Sequence, residues 1–529
     1  MTSSKKSALV VPKYQSVFIA PTLEKVAEQV LDAVPFEHNG RRLWRVPHTI
    51  DNVTALRRGG LDVDSPILHY YDWLGTEPFK PVQSNTAAML VQERRAYVFN
   101  RPGTGKTRSA IYAFDYLRKE GVVRKMLVVG VLSTLSRAWL REFLMVAPQY
   151  KTVLLYHRNK KKRLQALEQD HDVAVINYDG LKVLGSKIVG QYDVIVADEA
   201  AAVRNAQTER WKALHRVITR ARYAWLMTGT PRPKAPTDLH GLLKMLYPNH
   251  PMARSFVRFR DETMYKVSEF NWVEKPDADA RIAEWLSPQV QYSLEDVMEL
   301  PPRVESDVQC HLSPQQRKVF DVLQKTSTDL ANKITAVNAG VLAIKLLQVC
   351  SGVVFNSKKE PVVLDDGRLE DVKDIVEEND RPSIIFVPFV AAAERIYQHL
   401  KDSKTVEPYL IHGGVPKSAR DPIFARFQDG ATTSSGKGLP QVLVAQPNAM
   451  AHGLTLTAAN LIIWYAPISD YEIYEQANAR IDRPGQTSKT RVLHMYATAQ
   501  ERAAYNSLKR KEKQQKTFLN MLANATEMW

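Results

Sequence analysis

The chain has 529 residues, 44% of them hydrophobic and 9% aromatic, the make-up of a globular protein with two to four domains at roughly 100–200 residues each. No run approaches the ~18–20 uncharged apolar residues of a membrane span, and Pro12 interrupts the only apolar stretch near the amino terminus, so neither an anchor nor a signal peptide is expected and the location should be cytoplasmic, or nuclear in a eukaryote. A formal charge of +15 favours a polyanionic partner, above all nucleic acid.

Residues 1–75 read as a small α+β module, rich in turns and without a phosphate-binding motif. Over residues 76–250 short apolar runs alternate with amphipathic stretches: Ala96–Asn100, Lys125–Leu132, Asp172–Tyr178, Asp193–Asp198 and Tyr223–Thr228. Continuous runs of this kind suit strands buried on both faces of a parallel sheet with crossover helices. Residues 251–300 are expected to be a connecting helical region. A second α/β series occupies 301–497, with runs at Val304–Leu312, Ser383–Phe389, Pro408–His412, Gln441–Ala445, Leu461–Tyr465 and Arg491–Tyr496. Within it, Asp429–Leu439 is a glycine- and serine-rich loop. Residues 498–529 form a basic helix carrying Lys509, Arg510, Lys511 and Lys513. Cys310 and Cys350 sit in separate apolar segments and read as buried free thiols rather than a zinc site or a disulfide.

Three motifs carry chemistry. Asn100–Thr107 (NRPGTGKT) lies between a strand and a helix, the setting of a P-loop. Gly103 and Gly105 let backbone N–H groups approach phosphate oxygens, Pro102 and Thr104 complete the nucleotide-binding loop, Lys106 should neutralise the β/γ phosphates, and Thr107 should ligate Mg²⁺. The strict pattern wants glycine where Asn100 stands. Asp193–Ala201 (DVIVADEAA) ends an apolar strand in two acids: Asp198 to hold Mg²⁺ and Glu199 to polarise the attacking water. In Gln476–Gln486 (QANARIDRPGQ), Arg480 and Arg483 are three apart and would share a helix face, suited to charge developing on a transferring γ-phosphate.

Together these residues resemble the superfamily-2 helicases, and within them the Swi/Snf-type translocases, over roughly residues 76–515. The resemblance implies two tandem RecA-like domains that bind and hydrolyse ATP with Mg²⁺. Phe79 and Gln83 (FKPVQ) look like the family's adenine-reading element. Leu127–Phe143, with Ser133 and Trp139, and Ala174–Tyr178, with Asn177, are similar to segments that face a nucleic-acid strand. Arg204 and Asn205 trail the Asp-Glu box, and Thr228 and Thr230 in Leu226–Pro231 (LMTGTP) match the coupling motif. In the second domain Gly453–Ala459, with Gly453 for nucleotide and Thr455 for DNA, resembles motif five; Gln476, Arg480, Arg483 and Gln486 resemble motif six.

Three departures stand out from the family pattern: Ala201 replaces the usual His, Arg232-Pro233 the usual Gln-Asn, and Ala451-His452 the usual Gly-Gly. The compact form resembles bacterial and phage versions. Val34–Pro47, with Pro35, Arg41, Arg42 and Trp44, is similar to the HARP-type module of annealing helicases; its tryptophan either stacks on an unpaired base or packs in a small core. The implied activity is a monomeric, DNA-dependent ATPase tracking along double-stranded or forked DNA. A strand-separating helicase on DNA or RNA and an ATP-gated binding scaffold are the other readings. His157–Arg163 reads as a solvated turn, and Asp365, Asp371 and Lys373 do not make a metal site.

Overall fold

The computed structural model describes residues 8–74, 80–132, 135–157, 159–269, 271–297, 301–331, 336–355, 360–364, 367–429, 439–450 and 455–524. Two compact units result, residues 1–297 with 515–529, and residues 298–514.

The first unit opens with four antiparallel strands, β1 (Ala8–Val11), β2 (Ser16–Ile19), β3 (Val34–His38) and β4 (Arg41–Pro47), in the order β1-β2-β4-β3. Asn39 and Gly40, both at positive φ (50° and 73°), turn β3 into β4, the backbone that a tight hairpin demands. Helix α1 (Ile50–Arg58) follows, its first turn capped by the Thr49 hydroxyl accepting from the Asn52 N–H. Val17, Ile19 and Val46 from the strands meet Val53 and Leu56 from α1 in a separate small core. Trp44, paired across to Ile19 and Pro35, is partly buried against that core.

Each apolar run named in the sequence is a strand, and the strands assemble as two parallel sheets. In the first unit, α2 (Pro81–Gln92) precedes β5 (Arg95–Val98), and α3 (Lys106–Lys119) follows it. Then come β6 (Met126–Gly130), β7 (Thr152–Leu154), β8 (Val173–Asn177), β9 (Val194–Asp198) and β10 (Tyr223–Met227). After α4 (Phe256–Thr263), β11 (Met264–Lys266) and β12 (Trp272–Glu274) make a separate antiparallel hairpin. Helix α5 (Ala278–Trp285) leads to β13 (Gln289–Val290), giving a seven-stranded sheet ordered β13-β5-β10-β9-β6-β8-β7. Alternate residues face two cores, Leu127 and Val129 one way, Met126 and Val128 the other, which is why both parities are apolar. Residues 251–297, expected as a connector, instead belong to the first unit: β13 extends its sheet by pairing with β5.

In the second unit, β14 (Arg303–Gln309) precedes a small hairpin, β15 (Val353–Phe355) and β16 (Pro361–Val363). The strands β17 (Ser383–Phe386), β18 (Glu407–Ile411), β19 (Gln441–Ala445), β20 (Leu461–Trp464) and β21 (Thr490–Tyr496) complete a parallel sheet ordered β14-β21-β20-β17-β19-β18. Helix α6 (Tyr471–Asn478) lies between β20 and β21, and α7 (Ala499–Asn524) ends the described chain. Arg368 and Glu501, both fully buried, are joined at 2.7 Å, with the second guanidinium nitrogen on the Tyr465 carbonyl. Cys310 and Cys350 are buried free thiols, pushed up to about 12 by that burial.

Candidate functional site

Neighbouring strands of the first sheet bring three loops to one end. Met227 of β10 is in register with Val98 of β5 on one side and Asp198 of β9 on the other. The P-loop, the Asp-Glu box and the Thr-Gly-Thr loop therefore leave the sheet at one level, on the carboxyl edge where parallel sheets bind ligands.

In the P-loop, Gly103 and Gly105 have φ of +88° and +91°, a conformation that only glycine adopts freely. A Cβ on Gly105 would fall 2.1 Å from the Gln83 amide nitrogen, so Gln83, from the first turn of α2, lies directly against the loop. The Thr104 hydroxyl donates to the Arg101 carbonyl at 2.8 Å. Pro102 touches the next loop: a Cβ on Gly229 would meet its Cδ at 2.8 Å. Lys106 and Thr107 open α3, whose first turn of N–H groups follows the loop directly. Asn100 shows why glycine is absent there. Its amide donates to Thr86 Oγ1 at 2.9 Å, its side-chain oxygen accepts from the Tyr292 N–H at 3.0 Å, and its carbonyl accepts from Lys106 Nζ at 2.6 Å. The residue braces α2, the chain after β13 and the lysine at once.

Asp198 is buried at the end of β9, and burial, then the Glu199 charge, push its carboxyl up to about 6. The Trp139 indole N–H at 2.9 Å, the Lys106 charge and the Glu199 N–H at 3.1 Å oppose that rise. Tyr178 donates its hydroxyl to the Asp198 carbonyl at 2.8 Å. Glu199 itself sits in the left-handed region at φ 51°, which costs a non-glycine residue roughly 1–2 kcal/mol and turns the chain sharply so that both carboxylates stay at the strand end. A magnesium ion fits this donor set. Among the described residues no three metal-ligating side chains cluster, yet one hydroxyl (Thr107) and a carboxylate whose ionisation is disfavoured suit a cation that keeps water and phosphate oxygens as its other ligands.

Thr228 is fully buried, and its hydroxyl accepts from the Thr230 N–H at 3.2 Å. The Thr230 hydroxyl is buried without a partner among the described residues. Ala201, at the family's His position, is also fully buried.

The expected nucleic-acid contacts divide. Trp139 is fully buried and its indole N–H donates to Asp198, so its side chain supports the acidic box. Asn177 caps the helix after β8, accepting from the Gly180 N–H at 3.2 Å. Arg204 donates to the Ala201 carbonyl at 3.2 Å and lies 3.5 Å from Asp238, while Asn205 is exposed at a turn. Phe79, Ser133 and Gly453 lie outside the described residues, as does most of the glycine- and serine-rich loop.

In the second unit, Gln476 is buried on α6, but the helix ends at Asn478, so Arg480 and Arg483 do not share a helix face. Pro484 and Gly485 (φ +97°) follow, and a residue preceding proline is disfavoured in helix. Arg480 is buried, its carbonyl accepting from the Leu456 N–H at 3.0 Å. Arg483 is half-buried, donating to the Ala479 carbonyl at 3.0 Å and to Thr455 Oγ1 at 3.4 Å. Gln486 is structural, bonding the Ala459 and Ile481 carbonyls. Sequence reasoning missed Tyr178, Thr86 and the Trp139–Asp198 bond, all of which depend on tertiary neighbours.

Residues 85–351 match the SNF2-related domain, and residues 367–485 match the helicase conserved C-terminal domain. The chain belongs to the SNF2-related family. Among similar proteins, an uncharacterized ATP-dependent helicase of Mycoplasma pneumoniae is 23% identical over 79% of this chain and 39% of its own length. The SWI/SNF-related matrix-associated actin-dependent regulator of chromatin subfamily A-like protein 1 of Xenopus tropicalis is 24% identical over 77% of this chain and 41% of its own length. This SNF2-related chain thus spans about two fifths of those two relatives. Protein p41 of Acyrthosiphon pisum secondary endosymbiont phage 1 is 23% identical over 78% of this chain and 90% of its own. The Sulfolobus solfataricus SWI2/SNF2 ATPase core in complex with dsDNA aligns with 86% of this chain and 96% of that one, at 21% identity and a TM-score of 0.41. Among the described residues no helix is long and apolar enough to cross a membrane.

Proposed function

We propose that this SNF2-related chain is a DNA-dependent ATPase that tracks along double-stranded or forked DNA, rewinding or remodelling it or displacing bound proteins. The observation that carries the reading is the meeting of Gln83, Lys106, Thr107, Asp198 and Glu199 at one end of the first sheet, with the coupling loop in van der Waals contact with the P-loop. Gln83 reads the adenine edge. Lys106 releases the Asn100 carbonyl to neutralise the β/γ phosphates, and Glu199 orients the attacking water and takes its proton. Thr107 and Asp198 hold Mg²⁺, which when bound neutralises charge on the phosphate oxygens. Arg480 and Arg483 act on the charge that develops on the γ-phosphate, and Gln476 supports them. Thr228 and Thr230 carry the nucleotide state toward the DNA-facing loops, where Asn205 and Thr455 are exposed. The DNA partner is supported by the charge of +15.

The test is ATP turnover measured against duplex, single-stranded and forked DNA and against RNA. Duplex or forked DNA should stimulate most, and the stimulation should fall steeply with salt, since phosphate contacts dominate such binding. Equal stimulation by RNA, or none by any nucleic acid, refutes the reading. Displacement of a third strand from a triplex without unwinding of a tailed duplex is expected; unwinding of that duplex would favour a strand-separating helicase instead.

A further inference from the structure

The hairpin β11–β12 has no role in the motor motifs, and its surface is unusual. Tyr265 is 55% exposed, Val267 63% and Val273 49%, and the helix leading into it exposes Phe256 and Val257 at 48% and 54%. Apolar side chains gathered on one protrusion mark an interaction surface. They are interleaved with cations placed over aromatic rings: the Arg260 guanidinium lies 3.8 Å from the centre of the Trp272 ring, and Lys275 Nζ 5.2 Å from that of Tyr265. Lys266 is directly opposite Trp272 in the hairpin register and makes no ion pair among the described residues. Arg260, Tyr265, Lys266, Trp272 and Lys275 all border one open groove of about 570 Å³. Of the two carboxylates there, Asp261 is already paired with Arg260 at 3.0 Å, and Glu269 stands toward the turn.

Aromatic faces set beside cations, on an exposed groove of nucleotide dimensions, are the chemistry that holds an unpaired nucleic-acid strand: rings stack on bases of any sequence while the cations meet phosphate. We propose that the β11–β12 hairpin is a second nucleic-acid contact, binding an unpaired strand through Tyr265, Lys266 and Trp272. The inference rests on the DNA-dependent reading above and adds the single-stranded arm of a fork to its substrate. The hairpin is also anchored to the nucleotide-sensing loop. Glu274, the last residue of β12, is 2.6 Å from Arg232, whose buried guanidinium pairs with Asp279 as well. Arg232 follows Thr230 by two residues, so a load on the hairpin reaches the coupling loop through one ion pair.

The experiment uses the full chain and two fluorescent DNAs with the same base pairs, one blunt, one forked with single-stranded arms. Binding is read by anisotropy. Wild type should bind the fork more tightly than the blunt duplex. Tyr265→Ala with Lys266→Ala should weaken fork binding roughly tenfold, with blunt-duplex affinity and DNA-free turnover within twofold of wild type. Lys266→Glu alone should weaken fork binding and lower its salt dependence by about one phosphate contact. Because both side chains are exposed, the melting temperature should not move. If the fork preference survives in the double variant, the hairpin proposal is overturned while the motor reading stands, and the groove belongs to a protein partner. If wild type binds neither DNA, the motor reading fails and this proposal with it.

Discussion

Arg232 stands where the family's usual residue is glutamine, so Arg232→Gln restores the common sequence and should nevertheless destabilise this protein. The side chain is 3% exposed, against 29% for Glu274 and 18% for Asp279, and its guanidinium also lies 5.6 Å from the Phe518 ring centre. Removing one partner of a fully buried ion pair costs about 3–5 kcal/mol because a buried charge is left alone. Both carboxylates here keep some water, so about 2–4 kcal/mol is expected. Urea unfolding followed by tryptophan fluorescence would measure it. Asp279→Asn added to the variant should return at least about 1 kcal/mol, since it removes one of the stranded charges. The pH dependence has a fixed sign. Burial already raises the Asp279 carboxyl and Arg232 opposes that rise, so without the arginine it climbs further. The cost of ionising it is absent below its unfolded value and fully present above its folded one, so the deficit should grow as pH rises above the ordinary aspartate value of 3.8. A loss under about 0.5 kcal/mol, or a double variant no better than the single, refutes the argument.

Glu199→Gln should abolish DNA-stimulated ATP turnover while nucleotide binding persists; turnover near wild type removes Glu199 from the chemistry. Arg483→Ala should lower kcat by at least about a hundredfold with ATP affinity changed only a few-fold, because the group acts on transition-state charge; equal losses in both would assign it to ground-state binding. His494, buried beside the Tyr474 hydroxyl at 2.9 Å, is pushed down to about 4 from 6.5, first by burial. The unfolded chain takes up the proton first, so the second unit should lose up to about 3 kcal/mol of stability as pH falls from 6.5 to 4. His494→Gln should flatten the pH-stability curve across that window, and an unchanged curve counts against this assignment.

The parallel strands were legible because burial on both faces leaves runs such as VIVAD and LIIW with no polar alternation to confuse them. The edges were not. Thr152–Leu154 and Gln289–Val290 are three and two residues long, below any periodic signal, and the latter joins the sheet only because its N–H and C=O groups meet β5. The β11–β12 hairpin escaped notice because a three-residue strand (MYK) reads as helix end. At the site, residues whose roles come from local geometry, the P-loop glycines and the two acids, were visible in order along the chain. The bond of Trp139 was hidden because its partner, Asp198, is 59 residues away, and an amphipathic turn does not reveal whether its tryptophan faces a ligand or a buried carboxylate. Arg480 and Arg483 were placed on a helix by spacing alone, although Pro484 already argued for its end.

What the residues of the proposed nucleotide site hold in common is departure from local preference. Asp198 carries a carboxyl that burial resists ionising, Glu199 a left-handed backbone, Thr230 a buried hydroxyl without a partner, and Asn100 a polar side chain where the loop usually has none. Each is tolerated because the surrounding fold supplies a specific brace, or because a ligand is still to come. Asn100 and Asp198 are already braced, by Thr86 and the Tyr292 N–H and by Trp139 and Tyr178. Thr230 is not, and neither is the charge on Asp198 fully offset. Those are the two positions at which a bound magnesium nucleotide would add a stabilising contact that the protein alone lacks, one at the phosphates and the other in the loop leading to Arg232. If a magnesium nucleotide binds as proposed, its binding and the state of the coupling loop would draw on the same small set of unmet interactions, which is the physical requirement for one to report on the other.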